Sequence, residues 1–433
     1  MNKLLRILKD VFIRRWFYQH DYFCQTNTYK ECWLAIKAFF SRVDYIRGYE
    51  ERAAEVMGAK WAKSFATGRH ALYTILKSLN IGEGDEVICQ AFTCVVVPNS
   101  ILYAGASPIY ADINLDTFNM DCDRVREKTT EKTKAVIVQH TFGNIADVEK
   151  IRGEINNYNA QKIKKIHAGG GYTLEETAVL MSMYTQKIYI IEDFAHAVGC
   201  GKLKGDAGFY SSDHTKMIST GTGGMAFTNN YEIIRDITKQ NIDGSISGHS
   251  FFRRLQILFT FIVEVAITHP RVYWLLRPLR IFLDKSRLFY FYRDENKREK
   301  PKNYPMKLCN FQAAIGLSQL EGLGKQIEER RLYSVRGIML RDVYLFNEEK
   351  NKEMFIKYFN KYYVVGYWFN SPVFGCKDFS RVHYKEGDCP VAEGVCKQIV
   401  NLSTDCKSIY INKEGVIKWN KYILKKRTMG TMC

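Results

Sequence analysis

The stretch Ile188–Asn230 constrains this chain more than any other. It reads IYIIEDFAHAVGCGKLKGDAGFYSSDHTKMISTGTGGMAFTNN. An apolar run, Ile188 to Ile191, ends in the acid pair Glu192 and Asp193, and His196 follows. Gly205 and Asp206 then introduce a second short apolar run that closes on Ser211 and Ser212. A lone Lys216 and the glycines Gly221, Gly223 and Gly224 complete the segment. A short apolar run bounded by turn residues reads as a strand buried on both faces. An acid at its carboxyl end is then carried to the rim of a sheet, where ligands of open α/β folds bind.

This order of parts matches what pyridoxal 5'-phosphate requires. The cofactor works as an electron sink only while its pyridine nitrogen stays protonated, so a buried carboxylate must sit against it. Asp193 is placed to supply one. The aldehyde must be held by a lysine amine able to lose its proton, and Lys216 is the candidate. The phosphate needs hydroxyls and backbone N–H groups, best taken from a loop or a helix N-terminus. Ser211 fits the first need. The small-residue turn around Gly68, Arg69 and His70, which opens the apolar helical stretch Ala71 to Leu79, fits the second.

From about 45 to 240, strand-like runs alternate with helical stretches: Glu86–Cys89, Pro108–Asp112, Ala135–Gln139 and Ile188–Glu192 are the clearest strands. This is the rhythm of an α/β fold with a mostly parallel sheet covered on both faces. Asp193 and His140 fall at strand ends, and Cys94 follows one closely. His214, near Lys216, is a lesser candidate for proton transfer. A chain of 433 residues is long enough for one large and one small domain. Its 12 cysteines include no C-x-x-C pair, which argues against a zinc ribbon or a disulfide framework and for a reducing cytosol. No metal site is expected. The segment MNKLLRILKDVFIRRWF lacks the uncharged core and cleavage site of a signal peptide.

The chain resembles the DegT/DnrJ/StrS family of pyridoxal-phosphate-dependent sugar-nucleotide aminotransferases. The motifs that carry the resemblance run in order over roughly 45–420. They include Tyr45-Ile46-Arg47-Gly48, Gly82-Glu83-Gly84-Asp85-Glu86-Val87-Ile88, Ala91-Phe92-Thr93-Cys94-Val95 and His140-Thr141-Phe142-Gly143. Asp193-Phe194-Ala195-His196, Asn310-Phe311-Gln312-Ala313-Ala314 and Tyr384-Lys385-Glu386-Gly387-Asp388 follow. The resemblance implies fold type I of the pyridoxal-phosphate transferases. That fold has a large domain with a mostly parallel seven-stranded sheet between helices, plus a smaller C-terminal α+β domain. The divisions expected are an extension over 1–44, a cofactor domain over 45–324 and a small domain over 325–433. Insertions are expected at about 158–186 and 245–300, and a charged helix over Glu321 to Leu345. The resemblance places His196 near the cofactor's ring hydroxyl and Cys94 where many members carry a ring-stacking aromatic. Phe92 is an alternative cover for the ring. It implies that Asn303 reaches the phosphate of a neighbouring subunit, making a homodimer with shared active sites.

The net charge of +17 first suggests nucleic acid, but no nucleic-acid motif is present and the charge is concentrated. Residues 1–20 carry +4 and residues 253–300 carry +6, and both segments are rich in apolar and aromatic residues. Leu4, Leu5, Leu8, Val11, Phe12 and Trp16 have helical spacing among Lys and Arg. The run Leu255–Thr268 is too short to span a bilayer, which takes about 20 apolar residues. Peripheral membrane contact through 1–20 and 250–290 is one reading, and an oligomer contact is the other. The expected location is cytoplasmic, at the inner face of the membrane if such contact is made. The function implied is transamination, moving an amino group from a donor, glutamate by resemblance, to a nucleotide-linked keto-sugar for glycan biosynthesis. Related sugar dehydratases carry histidine in place of the lysine, so Lys216 points to the aminotransferase. The alternative is a degenerate, membrane-associated scaffold or regulator without turnover.

Overall fold

The apolar run Thr133–Gln139 (β5) lies mid-sheet and is buried along almost its whole length. Its side chains divide by parity, as strand geometry requires. Ala135 and Ile137 enter one apolar cluster, and Val136 and Val138 enter another on the opposite face. Glu86–Gln90 (β2) and Tyr189–Asp193 (β6) flank β5 in parallel. They split the same way, with Val87, Cys89 and Ile191 on one face and Ile88 and Ile190 on the other. Two-sided burial is why these strands read as unbroken apolar runs rather than alternating ones.

This computed structural model describes residues 27–168, 186–269, 299–333, 340–359 and 368–403, with isolated positions at 176, 275–276, 279 and 282–283. The remaining strands of the first part are Trp61–Phe65 (β1), Thr93–Cys94 (β3), Ser107–Ala111 (β4), Ala207–Ser211 (β7) and Gly224–Thr228 (β8). Across the seven-stranded sheet the order is β1-β8-β7-β6-β5-β2-β4. The five strands from β7 to β4 are parallel, whereas β8 runs antiparallel to both β7 and β1. Helices Tyr29–Phe40 (α1), Tyr45–Met57 (α2), Gly68–Ser78 (α3), Val96–Ala104 (α4), Cys122–Lys128 (α5), Val148–Ala168 (α6), Tyr231–Ile242 (α7), Phe251–Ile267 (α8) and Asn310–Tyr333 (α9) surround it. The α/β architecture and the mostly parallel sheet are those expected from the sequence.

Local chemistry sets the helix limits. Asp44 opens α2 by accepting the Ile46 N–H at 3.0 Å, and Gly58 closes it at φ +66°, a left-handed conformation that favours glycine. Where α2 meets α9, a Cβ on Gly316 would lie 2.5 Å from the Tyr49 ring, so this glycine answers a close helix approach.

The smaller C-terminal α+β domain contains Arg341–Leu345 (β9), Glu349–Phe359 (α10), Val373–Phe374 (β10), Pro390–Gln398 (α11) and Ile399–Ser403 (β11). The helix expected from Glu321 to Leu345 does not extend that far. It ends at Tyr333, and Arg341–Leu345 is a buried strand paired antiparallel with β11. Arg341 and Asp342, expected within that charged helix, are both buried. Strand β10 pairs with β3 of the large domain, and the Asp112 carboxylate accepts the Val391 and Ala392 N–H groups at 2.9 Å each. The segment expected as an insertion from about 158 begins inside α6, and residues 169–175 and 177–185 lie outside the described residues. Residues 1–26 and most of 270–298 lie outside them too.

The row Phe65, Gly224, Ser211 runs across β1, β8 and β7, and α3 starts directly beyond it. A Cβ on Gly224 would run into the backbone of Thr67 and Gly68. Gly224→Ala is therefore expected to lower stability by about 1–3 kcal/mol through overpacking, read as a lower urea midpoint. Gly153, inside α6, has nothing within 4 Å of its Cβ position. Gly153→Ala should raise the midpoint, by roughly 0.5–1 kcal/mol.

Candidate active site

Strand β6 delivers Asp193 to the carboxyl end of the sheet. The side chain is buried, and its Oδ1 accepts the Ala195 N–H at 2.8 Å. Burial pushes the carboxyl up, while the Ala195 N–H and the nearby Lys216 and His140 pull it down. A buried acid of this kind takes its charged form when a cation is set against it.

Strand β7 delivers Ser211 to the start of α3. A Cβ on Gly68 would lie 2.9 Å from the Ser211 Cβ, so the hydroxyl-bearing strand end and the helix N-terminus are packed as tightly as glycine permits. Thr67 caps α3, and the His70 N–H is taken up by the Thr67 carbonyl at 3.2 Å and hydroxyl at 3.4 Å. The first-turn N–H groups of Gly68 and Arg69 belong to the end of the helix that attracts anions. The His70 N–H, expected with that of Arg69 to face the phosphate, is taken up by Thr67, and the His70 side chain has other partners. Its Nδ1 accepts the Met306 N–H at 3.3 Å and its ring meets Tyr304 edge-on at 4.4 Å.

Lys216 sits on the loop between β7 and β8, and α9 braces that loop. Gln312 donates to the Thr222 carbonyl at 2.6 Å and the Thr220 carbonyl at 3.2 Å. Gln319 accepts the Ser219 N–H at 2.6 Å and donates to its carbonyl at 2.9 Å. The motif that begins at Asn310 thus ties α9 to the lysine loop through Gln312, and to the start of α2 through Asn310, which accepts the Tyr45 N–H at 2.9 Å. Burial lowers the affinity of the Lys216 amine for its proton. Cys94, Asp213 and Asp193 act against that, and Arg341 acts with it.

The aromatic wall of the site was not foreseen. Trp368, from the C-terminal domain, lies with its ring centroid 4.7 Å from Lys216 Nζ. The His196 ring stacks on it at 5.2 Å, and Phe142 stacks on His196 at 5.7 Å. The fully buried Arg341 places its guanidinium 3.9 Å from the same Trp368 ring and donates to Asn401 Oδ1 at 3.3 Å. His196 Nδ1 accepts the Phe142 N–H at 3.3 Å, so in the neutral ring the proton is on Nε2. Burial, with the Lys216 and Arg341 charges, keeps this imidazole neutral. Phe92, Phe142 and Phe369 all hold left-handed φ, at +65°, +57° and +60°, and pack on one another. Each such residue stores about 1–3 kcal/mol of strain. Nothing in their one-letter pattern announces it.

The other expected residues fall in different places. Phe92 is fully buried among Phe118, Phe142 and Phe369, so its ring packs in the core. Cys94, half-buried, lies at the β3–β10 junction and within electrostatic reach of Lys216. Asn303 is exposed at φ +60°, next to the buried Tyr304, whose hydroxyl donates to the Arg69 carbonyl at 3.0 Å. His140 is structural. Its Nε2 meets Glu192 Oε2 at 3.0 Å and its Nδ1 accepts the Ala146 N–H at 3.0 Å, both groups buried. His214 Nδ1 lies 3.2 Å from Asp213 and 3.8 Å from Glu264 of α8.

The residues brought together fit pyridoxal 5'-phosphate. A buried acid, a desolvated lysine, a neutral histidine with a fixed tautomer and a serine packed on a helix N-terminus through a glycine meet at one sheet edge. Among the described residues no cluster of His, Cys, Asp and Glu side chains suits a metal ion. Comparison with known proteins agrees. Residues 31–164 and 155–255 match the DegT/DnrJ/EryC1/StrS aminotransferase family. A pleiotropic regulatory protein of Geobacillus stearothermophilus is 28% identical over 375 residues, 83% of this chain and 84% of that protein. A GDP-perosamine synthase of Vibrio cholerae is 29% identical over 221 residues, so this match spans 50% of the chain and 53% of its relative. Among solved structures, a putative sugar aminotransferase of Streptococcus pneumoniae in its PMP form has a TM-score of 0.65 at 17% identity. It covers 94% of this chain and 99% of that one, and shows the shared fold. The chain belongs to the DegT/DnrJ/EryC1/StrS aminotransferase family, enzymes that depend on pyridoxal 5'-phosphate.

Proposed function

We propose that this protein moves an amino group from glutamate to a keto-sugar carried on a nucleotide, for the assembly of a glycan. The observation that carries the reading is the desolvated Lys216 amine, 4.7 Å from the Trp368 ring and within electrostatic reach of Asp193. Pyridoxal 5'-phosphate, when bound, supplies the electron sink for breaking the bond to hydrogen at the amine-bearing carbon. The protein's own residues do the rest. Lys216 would hold the aldehyde and, as its free amine, would take and return the proton. Asp193 would keep the proton on the pyridine nitrogen by its charge. His196 would donate through Nε2 to the ring hydroxyl. Ser211 and the N–H groups of Gly68 and Arg69 would hold the phosphate. Trp368, 4.7 Å from the amine, would shield this side from water.

Two further parts of the reading concern assembly. The exposure of Asn303 beside the start of α3 supports a homodimer in which Asn303 reaches the partner's phosphate site. The divisions 1–44, 45–324 and 325–433 serve as the working domains, although α9 runs continuously across residue 324. The working location is the cytoplasmic side, against the inner face of a membrane, as the surface discussed below supports.

Purified protein should carry a visible absorbance that fades when glutamate is added and returns with 2-oxoglutarate. Lys216→Ala should lose that response, with turnover down by at least about 10²–10⁴-fold. Colourless protein that pyridoxal phosphate does not reconstitute would instead support a scaffold or regulator without turnover.

The same amine makes stability depend on pH. Because the folded amine binds its proton less tightly than an ordinary lysine, the unfolded chain holds more protons, and apoprotein stability rises with pH through that window. Lys216→Met removes the penalty. The variant apoprotein should melt at a higher temperature than wild type at pH 7. The difference should close as the pH approaches the ordinary lysine range, about 10.4. Paired melting curves at the two pH values would check both the sign and the window.

A further inference from the structure

Helix α8 is apolar nearly all round. Its inner face, including Ile257, Leu258 and Phe261, packs with Ala35 and Ala38 of α1 and Phe311, Ala314 and Ile315 of α9. Its outer face carries Phe252, Leu255 and Phe259, exposed at 80%, 44% and 53%. Helix α1 lies beside it and antiparallel, since Phe39 meets Phe251 at 5.9 Å and Tyr29 stacks on His269 at 6.1 Å. It adds Trp33 and Phe40, exposed at 59% and 76%. Eleven of the sixteen large apolar side chains exposed among the described residues fall within 29–43 or 251–282, so the exposure is concentrated in two stretches of the chain and not scattered.

The charges on this pair of helices are sorted. Lys30, Lys37, Arg253 and Arg254 are exposed, whereas the two acids, Glu31 and Glu264, are buried. Lys37 lies over the Trp33 ring at 5.2 Å and Arg254 over Phe251 at 5.9 Å, and Arg253 and Arg254, in the first turn of α8, flank the stripe of Phe252, Leu255 and Phe259, so cations border the aromatic patch. A two-fold contact between copies would set this patch against itself and bring like charges together. An anionic lipid surface satisfies both features, taking the rings at the headgroup boundary and neutralising the cations. No described helix is long and apolar enough to cross a membrane. We infer that the paired outer faces of α1 and α8 dock on an anionic phospholipid surface. This goes beyond the aminotransferase reading and does not depend on it.

The test is co-sedimentation of the full chain with phosphatidylcholine vesicles, with and without phosphatidylglycerol. Wild type should pellet with the anionic vesicles alone and be released by salt. Arg253→Gln with Arg254→Gln should weaken partitioning by about thirty-fold, and Phe252→Ser with Leu255→Ser should abolish it. Both variants should keep the visible absorbance and the solution activity, which separates this outcome from failure of the enzyme reading. Three results would overturn docking. One is wild type that stays in the supernatant. Another is variants that bind vesicles normally while light scattering shows a smaller assembly, which would make the patch a contact between copies. The third is equal binding to duplex DNA lost in the same variants.

Discussion

Taking the Lys216 amine out of water disfavours its charged form, and each neighbouring element contributes to keeping it there. The loop that carries it cannot move outward, because Gln312 and Gln319 tie its carbonyls and the Ser219 N–H to α9. Trp368 closes over the amine from the C-terminal domain, and that domain is anchored to the large one at Asp112 and along β3–β10. The buried Arg341 behind Trp368 opposes protonation of Lys216, as burial does. Asp193 acts the other way, and the balance leaves an amine that can give up its proton without leaving its counter-charge far behind. The strain in Phe92, Phe142 and Phe369 is held by the same packing that orients His196.

The parts of this arrangement that were legible in the sequence are those whose neighbours in space are also neighbours in the chain. Asp193 and His196 stand at one strand end, Ser211 ends the strand that leads into the Lys216 loop, and the Gly68 turn declares itself by small residues before an apolar helix. The buried strands were legible because burial on both faces removes every polar interruption. The C-terminal contribution was not. Trp368 and Arg341 stand far along the chain from Lys216, and each alone reads as an ordinary aromatic and an ordinary charge. Arg341 and Asp342 also misdirect, since charged residues after a charged helix suggest its continuation. Only pairing with β11 turns Arg341–Leu345 into a strand. Phe92 shows the opposite limit. Its position in a motif suggests a cofactor contact, but its burial against Phe118, Phe142 and Phe369, the last also beside His196, could not be read there. Cys94, nearby in the chain, stays beside Lys216.

The 17-residue helix α8 has two faces that answer to different neighbours. Inward, it lines a small cavity with Thr220, Gly221 and Thr222 of the lysine loop, and a Cβ on Gly221 would lie 3.1 Å from Phe261. Glu264 is buried on this side, within 3.8 Å of His214. Outward it offers Phe252, Leu255 and Phe259, flanked in the first turn by Arg253 and Arg254. A helix that only fills a core would be polar on its solvent side, and this one is apolar there. It is also not that of a spanning helix, in which Glu264 and the two arginines would be expensive to immerse. A helix is about 10–12 Å across with its side chains. The docking face and the loop that positions Lys216 are therefore one helix apart, and the residues that brace the loop are held by the same element that meets the surface.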